Sequence, residues 1–165
     1  MDFIREQGHM NVENIYKIAK EFRGAIILMR DKYNISSYMF PSFPDGKCEY
    51  TSYLFKKYLD KFGVVAECWG GSNPALSLSH VWLQIGEICV DLTASQFVDF
   101  NFPEVLVVKK QDLYPLRKYL SNIKIRESFF DIAESDVQRD LRIIEDIIKG
   151  KFCEQKYLKE KFGLD

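Results

Sequence analysis

The sequence predicts an α+β fold in which an antiparallel β-sheet packs against a cysteine-bearing helix, with helices flanking this core on its N- and C-terminal sides. Three observations carry that expectation. "CEYTSYLFKKYLDKFG" has a helical apolar stripe. "HVWLQI" and "ICVDL" are two alternating runs separated by Gly86-Glu87, the two-residue spacing of a hairpin. "DVQRDLRIIEDII", near the end of the chain, is again helical in period.

Taken in order, "NVENIYKIAKEFRGAIILMRDKY" opens on Asn11 as N-cap, with Val12, Ile15, Tyr16, Ala19 and Phe22 at helical spacing. "NISSYMFPSFPDGK" is a loop punctuated by Pro41, Pro44 and Gly46. The next helix begins at Cys48, places Thr51, Leu54, Phe55, Tyr58, Leu59 and Phe62 on one stripe, and stops at Gly63. "VVAECW" reads as a strand and "GGSNPALSLS" as a loop, followed by the hairpin and by a fourth strand in "EVLVVKK". From Leu113 onward the chain reads as helical, with Ser135 capping a segment that carries Val137, Leu141, Ile144 and Ile148. The charged runs of these last helices read as solvated faces.

With 165 residues, 47% of them hydrophobic, the chain fits one domain over residues 1–165. A chain of this size buries roughly 70% of its unfolded surface, so disorder is not expected. Twenty-three basic residues against 24 acidic ones leave a net charge of −1, which favours neither a nucleic-acid nor a membrane partner. The longest apolar run, Ala25 to Met29, is far short of a membrane span. Cys48, Cys68, Cys89 and Cys153 form no CxxC pair, and a chain with a full core needs no disulfide framework, so reduced thiols in a cytoplasmic setting are expected. Met1 to Met10 is charged and lacks the apolar region of a signal peptide; it reads as a tag or a disordered segment, and His9 receives no functional weight. His80 is then the one imidazole expected to do chemistry.

A turn at Gly86-Glu87 pairs Ile85 with Ile88 and Leu83 with Val90. Alternation puts Val81, Leu83, Ile85, Ile88, Val90 and Leu92 on a core face. The opposite face carries His80, Trp82, Gln84, Cys89, Asp91 and Thr93, and a slip of one residue would bury this charged side. His80 and Asp91 become diagonal neighbours on it, close enough for the carboxylate to accept an imidazole N–H. A histidine so held is oriented as a general base requires. Cys48 supplies the nucleophile: the helix start favours a thiolate, and the Gly- and Pro-containing loop before it offers backbone amides to an oxyanion.

Cys89 shares the face of His80 but sits mid-strand and, like Cys68, reads as a packing residue. A zinc site from Cys48, Cys68, Cys89 and His80 lacks closely spaced ligand pairs, so no metal and no cofactor are expected. Trp69, Gly71, Ser79 and Trp82 are the candidate substrate-binding residues. Trp69 either lines a groove beside the flexible loop Gly70-Gly71-Ser72-Asn73 or plugs the core, and Trp82 shields the His80–Asp91 pair from water. Gln96 either contacts the site or caps the segment after Asp91.

"GKC" opening an amphipathic helix, "SHVW" on a strand and "CVDLT" on the next resemble the transglutaminase-like superfamily of the papain-like cysteine fold, over residues 46–97. The resemblance implies Cys48 as nucleophile, His80 as base and Asp91 as orienting acid. It implies a protein or peptide substrate, as in effector or toxin-type deamidases of the superfamily. It leaves open whether the outcome is deamidation, transglutamination or peptide hydrolysis, since all three pass through a thioester. The alternative is an inactive scaffold acting as a protein-binding module, its patch formed by Tyr33, Tyr38, Phe40 and Phe43.

Overall fold

Asn11 turns the chain into its first helix by accepting the Asn14 amide on its side chain at 2.8 Å. The computed structural model describes residues 10–127 and 132–163. The expectation of a tag or disordered segment at residues 1–10, with His9, lies outside them except for Met10, which packs against the core.

Helix α1 spans Val12–Asp31 and α2 spans Cys48–Asp60. Five strands follow: β1 (Glu67–Asn73), β2 (Leu78–Ile85), β3 (Ile88–Asp91), β4 (Leu106–Lys109) and β5 (Ser121–Ile125). The chain continues with α3 (Glu134–Ile148) and α4 (Glu154–Phe162). The five strands form one antiparallel sheet in the order β4-β3-β2-β1-β5, so the architecture is α+β.

The helices pack on one side of this sheet. Ile15, Ala19, Phe22, Ile26 and Met29 of α1 are buried against Leu54, Phe55, Tyr58 and Leu59 of α2, with the Phe22 ring 4.9 Å from Phe55 and 5.2 Å from Tyr58. Tyr16, expected on the buried stripe, is 42% exposed at its edge. Gly63 ends the second helical segment at φ +73°, which glycine adopts without a Cβ penalty. On α3, Val137, Leu141 and Ile144 are buried as expected. Ser135 is not the cap: α3 begins at Glu134 after Ala133, which leaves Ser135 inside the first turn. The buried Asp140 accepts from Ser37 Oγ at 2.5 Å and Tyr50 Oη at 2.9 Å, binding α3 to α2 and to the loop before it.

The hairpin register is the expected one, with Ile85 opposite Ile88, Gln84 opposite Cys89 and Leu83 opposite Val90. Gly86 takes φ +55° at the first turn position. Val81, Leu83, Ile85, Ile88, Val90 and Leu92 all enter the helix-facing core. The opposite face was expected to be the charged side, but it is covered too. Trp82 and Cys89 join Leu78, Tyr114, Leu116 and Leu120 in a second apolar cluster, because the segment after β4 folds back over the sheet.

Two segments depart from the sequence expectation. Gly70-Gly71-Ser72-Asn73 is not a loop but the second half of β1, lying between β2 and β5. A Cβ on Gly71 would stand 3.0 Å from Ile123 Cγ1, 3.1 Å from Leu120 Cβ and 3.1 Å from the Ser121 carbonyl oxygen. Glycine is there because another strand approaches closely. The stretch after Leu113 is not helical at first. It forms short 3₁₀ turns at Gln111–Leu113 and Pro115–Tyr119 and then β5, and the helical expectation holds from Glu134.

The aromatic patch expected before Cys48 is not continuous. Phe43 is buried under the Arg23 guanidinium, which lies 5.4 Å from the ring centroid, and Tyr33 and Phe40 lean on the core. Tyr38 alone of the four is exposed. Among the described residues, no helix is long and apolar enough to cross a membrane.

Candidate active site

Three elements converge on one imidazole. Cys48 is the first residue of α2, half-buried, at a helix start that no side chain caps. The leading amides and the positive end of the helix dipole are therefore presented at the sulfur. His80 lies near the start of β2 and Asp91 ends β3, on the sheet face turned away from the helices; they are 0% and 2% exposed.

His80 Nε2 meets Asp91 Oδ2 at 2.7 Å. The carboxylate is saturated by further donors: the Tyr114 hydroxyl donates to Oδ2 at 2.7 Å, while the Thr93 amide and hydroxyl donate to Oδ1 at 2.8 and 3.1 Å. With four donors fixing both oxygens, Asp91 holds one orientation and imposes it on the ring. With Nε2 taken by Asp91, Nδ1 is the ring nitrogen open toward the Cys48 side, and the Cys48 thiol is near enough to favour a proton on the ring. Phe97 packs edge-on against the imidazole, with centroids 4.8 Å apart.

The electrostatics reflect burial set against pairing. Burial works to strip the proton from His80, but the charge and hydrogen bond of Asp91, helped by Cys48, outweigh it and push the imidazole up to about 10. Burial likewise raises Asp91, and His80, Thr93 and Tyr114 overcome it and hold the carboxyl below its ordinary range. Burial and the neighbouring Asp91 charge drive Tyr114 well above 10, so it remains a donor. Burial pushes the Cys68 thiol up to about 12 and Cys89 up to about 11, which fits packing thiols.

The structure thus brings Cys48, His80 and Asp91 together and disperses the expected substrate residues. Trp82 is 0% exposed and stacks 4.7 Å from Tyr114 in the second apolar cluster; it walls off Asp91 and cannot touch a substrate. Gly71 is buried, its backbone opposite His80 across the β1–β2 ladder. Trp69 is half-buried against the second cluster, its indole N–H donating to Glu67 at 3.0 Å, so it leans toward packing. Ser79, beside His80, is open to solvent. The amides of Gly46 and Lys47, expected to face an oxyanion, are engaged by Gln96 Oε1 at 3.1 Å and the Pro44 carbonyl at 3.2 Å.

Sequence reasoning missed Tyr114, Thr93 and Phe97 and left Gln96 undecided. Thr93 was discoverable: an aspartate accepting from the amide two residues on is a recognised local turn. Tyr114 carried no comparable signal, since it arrives from an irregular segment. Gln96 touches the site directly, its Nε2 lying 3.2 Å from His80 Nδ1.

Among the described residues, no group of three or more His, Cys, Asp or Glu side chains could hold a metal ion. Chemically, the arrangement can pass a proton from a thiol to an oriented imidazole and leave a sulfur nucleophile at a helix N-terminus. No protein-family model, curated protein or solved structure matches the chain.

Proposed function

We propose that the chain is a cysteine-dependent acyl-transfer enzyme acting on a carboxamide of a protein or peptide, with a papain- or transglutaminase-like core. One observation carries this reading: a thiol at an uncapped helix start lies near an imidazole whose Nε2 sits on a buried, four-donor carboxylate. The chain order, Cys on the helix, then His and Asp on successive strands, supports the same assignment.

His80 Nδ1 takes the Cys48 proton, and the sulfur adds to the amide carbonyl carbon. The oxygen gains the electron pair of the broken C=O π bond beside the first-turn amides of α2. Collapse re-forms the carbonyl and breaks the C–N bond, while the imidazolium returns its proton to the departing ammonia or amine. The thioester is then resolved by water or by an acceptor amine, again with His80 as base. Asp91 keeps Nε2 protonated throughout, so that Nδ1 alone carries the traffic. Free cysteines throughout the described residues support a reducing, cytosolic setting.

The test uses a glutamine-rich, unfolded protein with three readouts: ammonia release, incorporation of a labelled amine, and chain cleavage. One of the three should appear with the native protein and disappear in Cys48→Ala. If none appears across diverse protein substrates, or if Cys48→Ala retains activity, the reading is wrong.

A further inference from the structure

The side-chain amide of Gln96 has only one workable orientation. Its Oε1 accepts the Gly46 N–H at 3.1 Å, and its Nε2 donates to the Thr93 carbonyl at 3.0 Å. A main-chain N–H can only donate and a carbonyl can only accept, so turning the amide over would lose both bonds. That orientation brings Nε2, with its second hydrogen, to 3.2 Å from His80 Nδ1. An amide donor at this position stabilises the bare nitrogen of a neutral ring and opposes a proton on it.

Nε2 is taken by Asp91, so the same nitrogen is the one open to a proton from Cys48, whose thiol acts on this ring. The ionisable groups facing the ring are therefore Asp91 from β3 and Cys48 from α2. Tyr114 acts on the ring through Asp91, and Phe97 covers it with an uncharged edge. Asp91 draws a proton onto the imidazole, and Gln96 resists it at the atom where the thiol must deliver one.

We propose that Gln96 is a positioning residue that competes with Cys48 for His80 Nδ1 and so sets the pH at which the thiolate–imidazolium pair forms. The inference rests on the acyl-transfer reading above. When the pair forms, the S–H bond breaks, its electrons stay on sulfur and its proton goes to Nδ1. Gln96 gives up the ring and keeps Gly46 and Thr93. Through Gly46 the same amide also holds the loop that leads into the nucleophile.

The experiment measures the rate of Cys48 alkylation by iodoacetamide from acid to alkaline pH in the native protein, Gln96→Met and His80→Gln. Met keeps the bulk and removes the donor; Gln96→Ala serves if it fails to fold. Removing the donor should favour the imidazolium over the neutral thiol–imidazole form, raising the neutral plateau of Cys48 alkylation by about three- to tenfold and moving its acid midpoint to higher pH by about half to one unit. A Gln96→Met profile that superimposes on the native one, or that drops equally at every pH, overturns the proposal. A native profile with no His80-dependent limb overturns the acyl-transfer reading instead. Should neither Gln96 variant fold, the Gln96 side-chain amide resonance of the native protein should titrate with the alkylation midpoint; a resonance that does not move overturns the proposal.

Discussion

The Tyr114 hydroxyl donates to Asp91 Oδ2 at 2.7 Å, the same oxygen that His80 Nε2 meets at 2.7 Å. A residue from the irregular segment after β4 thus shares the acceptor that orients the histidine. Tyr114→Phe keeps the ring that stacks on Trp82 and removes only the hydroxyl. Leaving one lone pair of a buried carboxylate unpartnered should cost about 1–3 kcal/mol, read as a lowered urea midpoint with an unchanged slope. A variant as stable as the native protein would show that the bond contributes nothing.

The His80–Asp91 pair makes stability depend on pH in a direction that can be worked out. His80 is raised, up to about 10, so its contribution is complete below the unfolded value near 6.5 and drains away as pH climbs toward 10. Asp91 is lowered, so its contribution is complete above about pH 4 and is lost as pH falls through its folded value. Urea midpoints should therefore fall from neutrality toward pH 10 in the native protein, and this alkaline slope should be reduced in His80→Gln. Parallel slopes would contradict the assignment of the coupling to this pair.

Two glycines should respond oppositely to alanine. Gly24, inside α1, has open space where a Cβ would go, so Gly24→Ala should stabilise by about 0.5–1 kcal/mol through helix propensity. Gly71→Ala would press against Leu120, Ser121 and Ile123 and should destabilise by about 1–3 kcal/mol, loosening β5 from β1. Thermal melts of the two variants, run side by side, check the contrast. Equal shifts would mean that β5 does not lie against Gly71.

Cys68 and Cys89 should stay unmodified in the folded protein, because both are buried and their thiols are pushed up to about 12 and 11. Peptide mapping after alkylation should find label on them only once denaturant is added. Labelling of either in the native protein would place it in the site instead of the core.

What was legible in the sequence is what is local and periodic. Alternation through "HVWLQI" and "ICVDL" and a two-residue turn were enough for the hairpin register and the His80–Asp91 diagonal. Helical spacing marked the start of α2 at Cys48 and its stop near Gly63. What failed depended on the rest of the fold. Gly70-Gly71 has the composition of a loop and becomes strand only because β5 lies against it, while β5 itself, "SNIKI", is short and mostly exposed. Trp82 and Asp91 looked half-open until the segment around Tyr114 and Leu116 closed over them, and nothing in residues 79–97 foretells that cover.

Cys48 and Cys153 offer an internal comparison: one thiol faces His80, and the other stands exposed. The most direct measurement is the ratio of their alkylation rates near neutral pH, by mass spectrometry, in the native protein and in His80→Gln. Despite its partial burial, Cys48 should lead Cys153 by about tenfold or more, and the lead should collapse in the variant. A Cys48 no faster than Cys153, or one indifferent to the loss of His80, would contradict the account.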